Sequence, residues 1–163
     1  MRSLLLVLFL SSCGEPTPCE RATHHPQGLC VIMHEDYEVN DFILGRILFE
    51  LQEDMNDVQG DKVNIADLFR KHEASLEYVE YIDRNASILG IHQSGVMRSV
   101  VGGCWLHYWV PAHEAIHFWA EFHLGVSRKT NATHQVEDGY LKWAKAEGMP
   151  IEETVEWRIA ATV

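Results

Sequence analysis

The segment 111–125, Pro-Ala-His-Glu-Ala-Ile-His-Phe-Trp-Ala-Glu-Phe-His-Leu-Gly, constrains the fold of this chain more than any other. An α-helix advances about 100° per residue, so with His113 at zero His117 falls at roughly 40°, Glu121 at roughly 80° and Glu114 at roughly 100°. Two imidazoles and two carboxylates therefore share one face. Ala115, Phe118, Trp119 and Phe122 lie opposite. Such a helix packs its apolar back into a core and turns its polar front to a cleft. Pro111 suits its first turn, and Gly125 suits its C-terminal cap.

His113, Glu114 and His117 spell H-E-x-x-H. Side chains four apart stand one above the other on a helix, so both imidazoles can reach one Zn²⁺ at about 2.0–2.1 Å. The Glu directly after the first His points toward the metal's open position, where it takes a proton from water and passes it to a leaving amine. On these residues the chain resembles the zincin metallopeptidases. The resemblance implies Zn²⁺ as cofactor, His113 and His117 as metal ligands, Glu114 as general base and then acid, and a peptide or protein as substrate.

A catalytic zinc usually has three protein ligands and an open fourth position. Three residues compete for the third place, and each corresponds to a different zincin subgroup. His134 leads: it lies in the polar segment 131–134 ahead of a helix, as in small exported bacterial zincin-like proteins. Glu137 stands 24 residues beyond His113, similar to thermolysin-like members in which a second helix supplies a Glu. His123 has the metzincin spacing, but Ala120, a strong helix former, stands where that pattern has a helix-breaking Gly. A continued helix carries His123 roughly 280° round from His113. Glu121 reads as a partner that orients an imidazole.

The N-terminus reads as a targeting segment. Arg2 precedes the apolar run 4–10, which is shorter than the roughly 20 residues a membrane-spanning helix needs and suits a signal-peptide core. Leu10-Ser11-Ser12-Cys13 resembles the bacterial lipobox, which implies removal of 1–12, acylation of Cys13, and a lipoprotein facing the periplasm or exterior. A soluble secreted protein with an ordinary signal is the alternative. A net charge of −11 argues against nucleic acid as a partner and leaves the lipid anchor as the only expected membrane contact. Export permits a disulfide. Cys19 and Cys30 flank a Pro/Gly/His-containing loop and are the expected pair; Cys30 with Cys104 is the alternative.

The remainder divides into a tether, 13–28, and one domain, 29–163, of ordinary size. Strands are expected at 29–33, 75–82 and 88–92, with a further one along 99–110 feeding the motif helix and a closing one within 151–163. Helices are expected at 39–56, 65–71 and 135–146. The sum is an α+β domain: a small mixed sheet with an N-terminal helix, the H-E-x-x-H helix and a C-terminal helix. The rival to an enzyme is a non-catalytic envelope lipoprotein that keeps the helix as structure or as a metal-binding element.

Overall fold

A computed structural model describes residues 16–34, 37–83, 88–101, 106–127 and 129–148. The expected signal peptide, Cys13, Cys104 and the closing strand lie outside the described residues. Within them the chain forms five α-helices and a four-stranded, mostly parallel sheet.

Part of the segment expected to be a tether is folded. Thr17 caps the short helix α1 (Pro18–Arg21) and exchanges bonds with Glu20 in a capping box, which satisfies end groups that a helix of one turn would otherwise leave open. Cys19 of α1 is joined to Cys30 of β1 (Cys30–Ile32), and Pro26 between them is buried. The Pro/Gly content that reads as a loop here shapes a tight turn against the sheet.

Helix α2 (Asp41–Gln59) starts at Asn40, whose side chain accepts from the amides of Phe42 and Ile43, and stops at Gly60 in the left-handed conformation. Its stripe Leu44, Ile47, Leu48, Leu51 and Met55 is buried. Phe42 lies roughly 160° round the helix from Leu44 and is 78% exposed. Helix α3 (Ile65–Lys71) follows after the Asn64 cap, then strands β2 (Ser75–Val79), β3 (Gly90–Gln93) and β4 (Val96–Val100). Ser94 and Gly95, at φ 50° and 87°, turn β3 into β4, with both central residues at positive φ as two-residue hairpins favour. The sheet order is β1-β2-β4-β3, with β3 antiparallel on the edge.

The strand expected along 99–110 is a correction. It ends at Val100, and 106–110 opens helix α4 (Leu106–Phe122). Aromatic residues favour strands by propensity, but here Trp109 and Val110 are buried as helical side chains, and packing outweighs propensity. Pro111 consequently sits inside α4 rather than at its first position. Helix α5 (Asn131–Ala146) begins ahead of the expected 135, because Thr130 and Thr133 form a capping box. His134 is therefore a helical residue and not part of a preceding loop.

Helix α4 lies at the centre, packed by α2, α5, β3 and β4. The α2–α5 contact places Asp54 against Gly139, where an added Cβ would stand 2.7 Å from Asp54 Oδ1. Burial there, followed by the charges of Asp57 and Glu50, pushes the Asp54 carboxyl up to about 6. Its folded pKa exceeds its ordinary 3.8, so this group's favourable balance is complete below pH 3.8 and is lost as pH rises through 6. The Asp54→Asn variant is expected to melt at a higher temperature than wild type at pH 7.5. In thermal melts across pH, that advantage should disappear below pH 4; an advantage that persists there would contradict the assignment.

Candidate metal centre

Two antiparallel helices build the centre. Trp109 of α4 stacks on Tyr140 of α5, ring centroids 5.0 Å apart, and both rings are buried. That contact sets the register between the helices. One turn along α4 from Trp109 stands His113; one turn back along α5 from Tyr140 stands Glu137, and the two meet. His113 Nδ1 lies 2.9 Å from Glu137 Oε1.

A carboxylate only accepts, so His113 Nδ1 carries a proton and its Nε2 is the ring atom left to face a metal. That Nε2 lies 2.9 Å from His117 Nε2, with the rings edge to face. Two nitrogens bound to one tetrahedral ion at 2.0–2.1 Å stand about 3.3 Å apart, so the pair is within a few tenths of an ångström of a bidentate metal seat. In this respect the residues fit zinc. Among the described residues, no three His, Cys, Asp or Glu side chains close on one metal position: Glu137 meets the ring of His113 on the Nδ1 side, away from Nε2.

Electrostatics around the pair is set by burial. His117 is pushed down to about 4 by desolvation, then by His113, Lys129 and His92. Burial pushes Glu137 up, but the hydrogen bond and charge of His113, with Lys129 and His134, outweigh it and hold its carboxylate low. Lys129 Nζ stands 3.7 Å from Glu137 Oε2, and His134 Nδ1 3.9 Å from the same atom. Glu114 is pushed up to about 8 by burial, opposed by Lys129.

The expectation that α4 turns its polar face to a cleft is corrected. His113 and Glu114 are each 4% exposed, because α5 and β3 cover the side that a simpler surface helix would leave open. His117 remains partly exposed. Of the three candidates for the third ligand, Glu137 reaches the pair and His134 stands outside it, 58% exposed. His123 stacks over Trp119 and is not brought to the centre. Glu121 meets His92 Nδ1 at 3.4 Å instead of His113 or His117. An open cleft at the disulfide, lined by Cys19, His25, Arg70 and Glu73 among others, shares no residue with this centre.

Three neighbours escape a sequence reading. Gly90 abuts Glu114, His92 acts on His117, and Lys129 acts on Glu114, His117 and Glu137. Strand alternation puts Gly90 and His92 on one face, which is a usable signal. Lys129 sits in a loop without periodicity and offers none.

The two large shifts oppose each other. Glu114 folds with a raised pKa, so its contribution is complete below 4.5 and is lost as pH rises through 8. His117 folds with a depressed pKa, so the folded protein loses stability as pH falls from 6.5 toward 4. Between pH 5 and 6 the slopes nearly cancel; above 6.5 the Glu114 slope remains. In chelator-treated protein, Glu114→Gln is expected to flatten the decline in melting temperature between pH 6.5 and 8. A decline identical to wild type would show that Glu114 is already ionised. Comparison of the chain with protein-family models, curated protein sequences and solved structures finds no match.

Proposed function

We propose that this protein is a zinc-dependent metallopeptidase or metallohydrolase acting outside the cytoplasmic membrane. One observation carries the assignment: the two Nε2 atoms of His113 and His117 converge at 2.9 Å, and the residue next in sequence to the first of them is a buried carboxylic acid, Glu114. His113 and His117 would hold the ion, Glu137 would steady the ring of His113 from its Nδ1 side, and solvent or substrate would take the open positions. Bound zinc supplies positive charge that polarises a carbonyl and lets a water ionise near neutrality.

The chain's own residues account for the rest. Glu137 fixes the tautomer of His113 by accepting its Nδ1–H. Close to a dication Glu114 would lose the penalty that keeps it protonated, and its carboxylate could then accept a proton from water and return it to the leaving nitrogen. Strand β3 is one of the two edge strands of the described sheet; its outer N–H and C=O groups suit an extended peptide backbone. The hydrophobic run 4–10 and Cys13 support export and a lipid anchor.

A second reading draws on the 4% exposure of His113 and Glu114: an envelope protein that binds metal at this helix without turnover. Elemental analysis of the purified protein separates the possibilities when combined with peptide hydrolysis. About one zinc per chain is expected, lost in His113→Ala/His117→Ala while circular dichroism remains helical. Glu114→Gln is expected to retain zinc and to hydrolyse peptides at least about 100-fold more slowly. Zinc without hydrolysis in wild type supports the binding protein; no zinc after reconstitution overturns both.

A further inference from the structure

Gly90 is a glycine without a conformational reason to be one. It lies in strand β3, paired with Ser99 of β4, and its backbone is outside the left-handed region that favours glycine. The constraint is space. A Cβ built at Gly90 would collide with Val110 Cγ1 and stand 2.5 Å from Glu114 Oε1 and 3.2 Å from its carboxyl carbon.

The strand runs along α4, and alternate residues face the helix. His92, two residues on, packs its ring against Phe118 and Phe122 and is closed in, with 6% side-chain exposure. Position 92 thus fills the gap between strand and helix with an imidazole, while position 90 leaves a side-chain-sized space. That space is occupied by the carboxyl end of Glu114 and by Val110. The polar group rests on bare strand backbone.

We propose that Gly90 is a positioning residue for Glu114: its missing side chain forms the seat that holds the carboxyl group against β3. This deepens the function proposed above and depends on Glu114 acting as its proton-transfer group. Any side chain at 90 displaces that carboxyl without touching either histidine. A displacement of about 1 Å is enough to slow a positioned reaction about 100-fold.

The test uses the full chain and three substitutions, Gly90→Ala, Val110→Ala and Glu114→Asp, alone and combined. Val110→Ala removes the apolar half of the collision, so Gly90→Ala/Val110→Ala recovers the fold if Gly90→Ala alone does not. Expected for that double variant are zinc binding within about threefold of Val110→Ala and a kcat on a quenched-fluorescence peptide mixture lowered about 100-fold with KM unchanged. A kcat equal to that of Val110→Ala overturns the seat.

Thermal melts supply a readout that needs no enzyme. In the Val110→Ala background, Gly90→Ala is expected to lower the melting temperature less when position 114 is the shorter Asp than when it is Glu. Strict additivity of the two changes overturns the seat. A wild-type protein that neither binds zinc nor cleaves peptides would sink the function proposed above, while the melting cycle still decides whether Gly90 seats Glu114.

Discussion

Taking ionisable groups out of water is the constraint on which the rest of this molecule depends. Helix α4 carries an imidazole, a carboxylic acid and a second imidazole within five residues, and the fold buries the first two almost completely. A buried carboxylate without a partner is unfavourable, so each group must pair, stay neutral or meet a cation. His113 pairs with Glu137 and His117. Glu114 stays neutral on the bare backbone of β3. The neighbouring helix α5, its capping box and the Trp109–Tyr140 stack are the means by which the pairing carboxylate arrives at the right place.

The sheet and α2 serve that arrangement from behind. Phe118 and Trp119 are fully buried on the back of α4, Phe118 packing edge-on to Phe69 of α3, and the stripe of α2 closes the remaining side. A helix held on so many sides has little freedom to rotate. The angular relation between His113, Glu114 and His117 is thereby fixed by apolar packing some distance from the polar atoms, which keeps the nitrogens convergent.

Much of this was legible in the residues. The stripe of α2, the short α3 and strands β1 to β3 follow from periodicity and turn chemistry, and the motif names the polar triplet outright. Three features were hidden for separate physical reasons. The helical identity of 106–110 was masked because Trp and Tyr favour strands in isolation, and the burial of Trp109 against Tyr140 of α5 decides otherwise. The early start of α5 depended on Thr133, an unremarkable residue until its hydroxyl is seen to answer Thr130. The burial of the polar face could not be read from a helical wheel, because a wheel shows which residues share a side and not what covers them. The spacing from His113 to Glu137 brings that carboxylate to the Nδ1 side of His113, whereas the longer helix turns His134 outward.

The disulfide between Cys19 and Cys30 has a mechanical meaning. Residue 19 is the first point at which the N-terminal strand of the chain is covalently cross-linked to the sheet, and its partner begins β1. Tension applied at the N-terminus travels through the sulfur atoms straight into β1 and leaves the intervening turn unloaded. β1 pairs with β2 in parallel register, a geometry in which pulling along the strand strains the ladder's hydrogen bonds together and not one at a time. The β1 end of the described residues is thus their shear-resistant end.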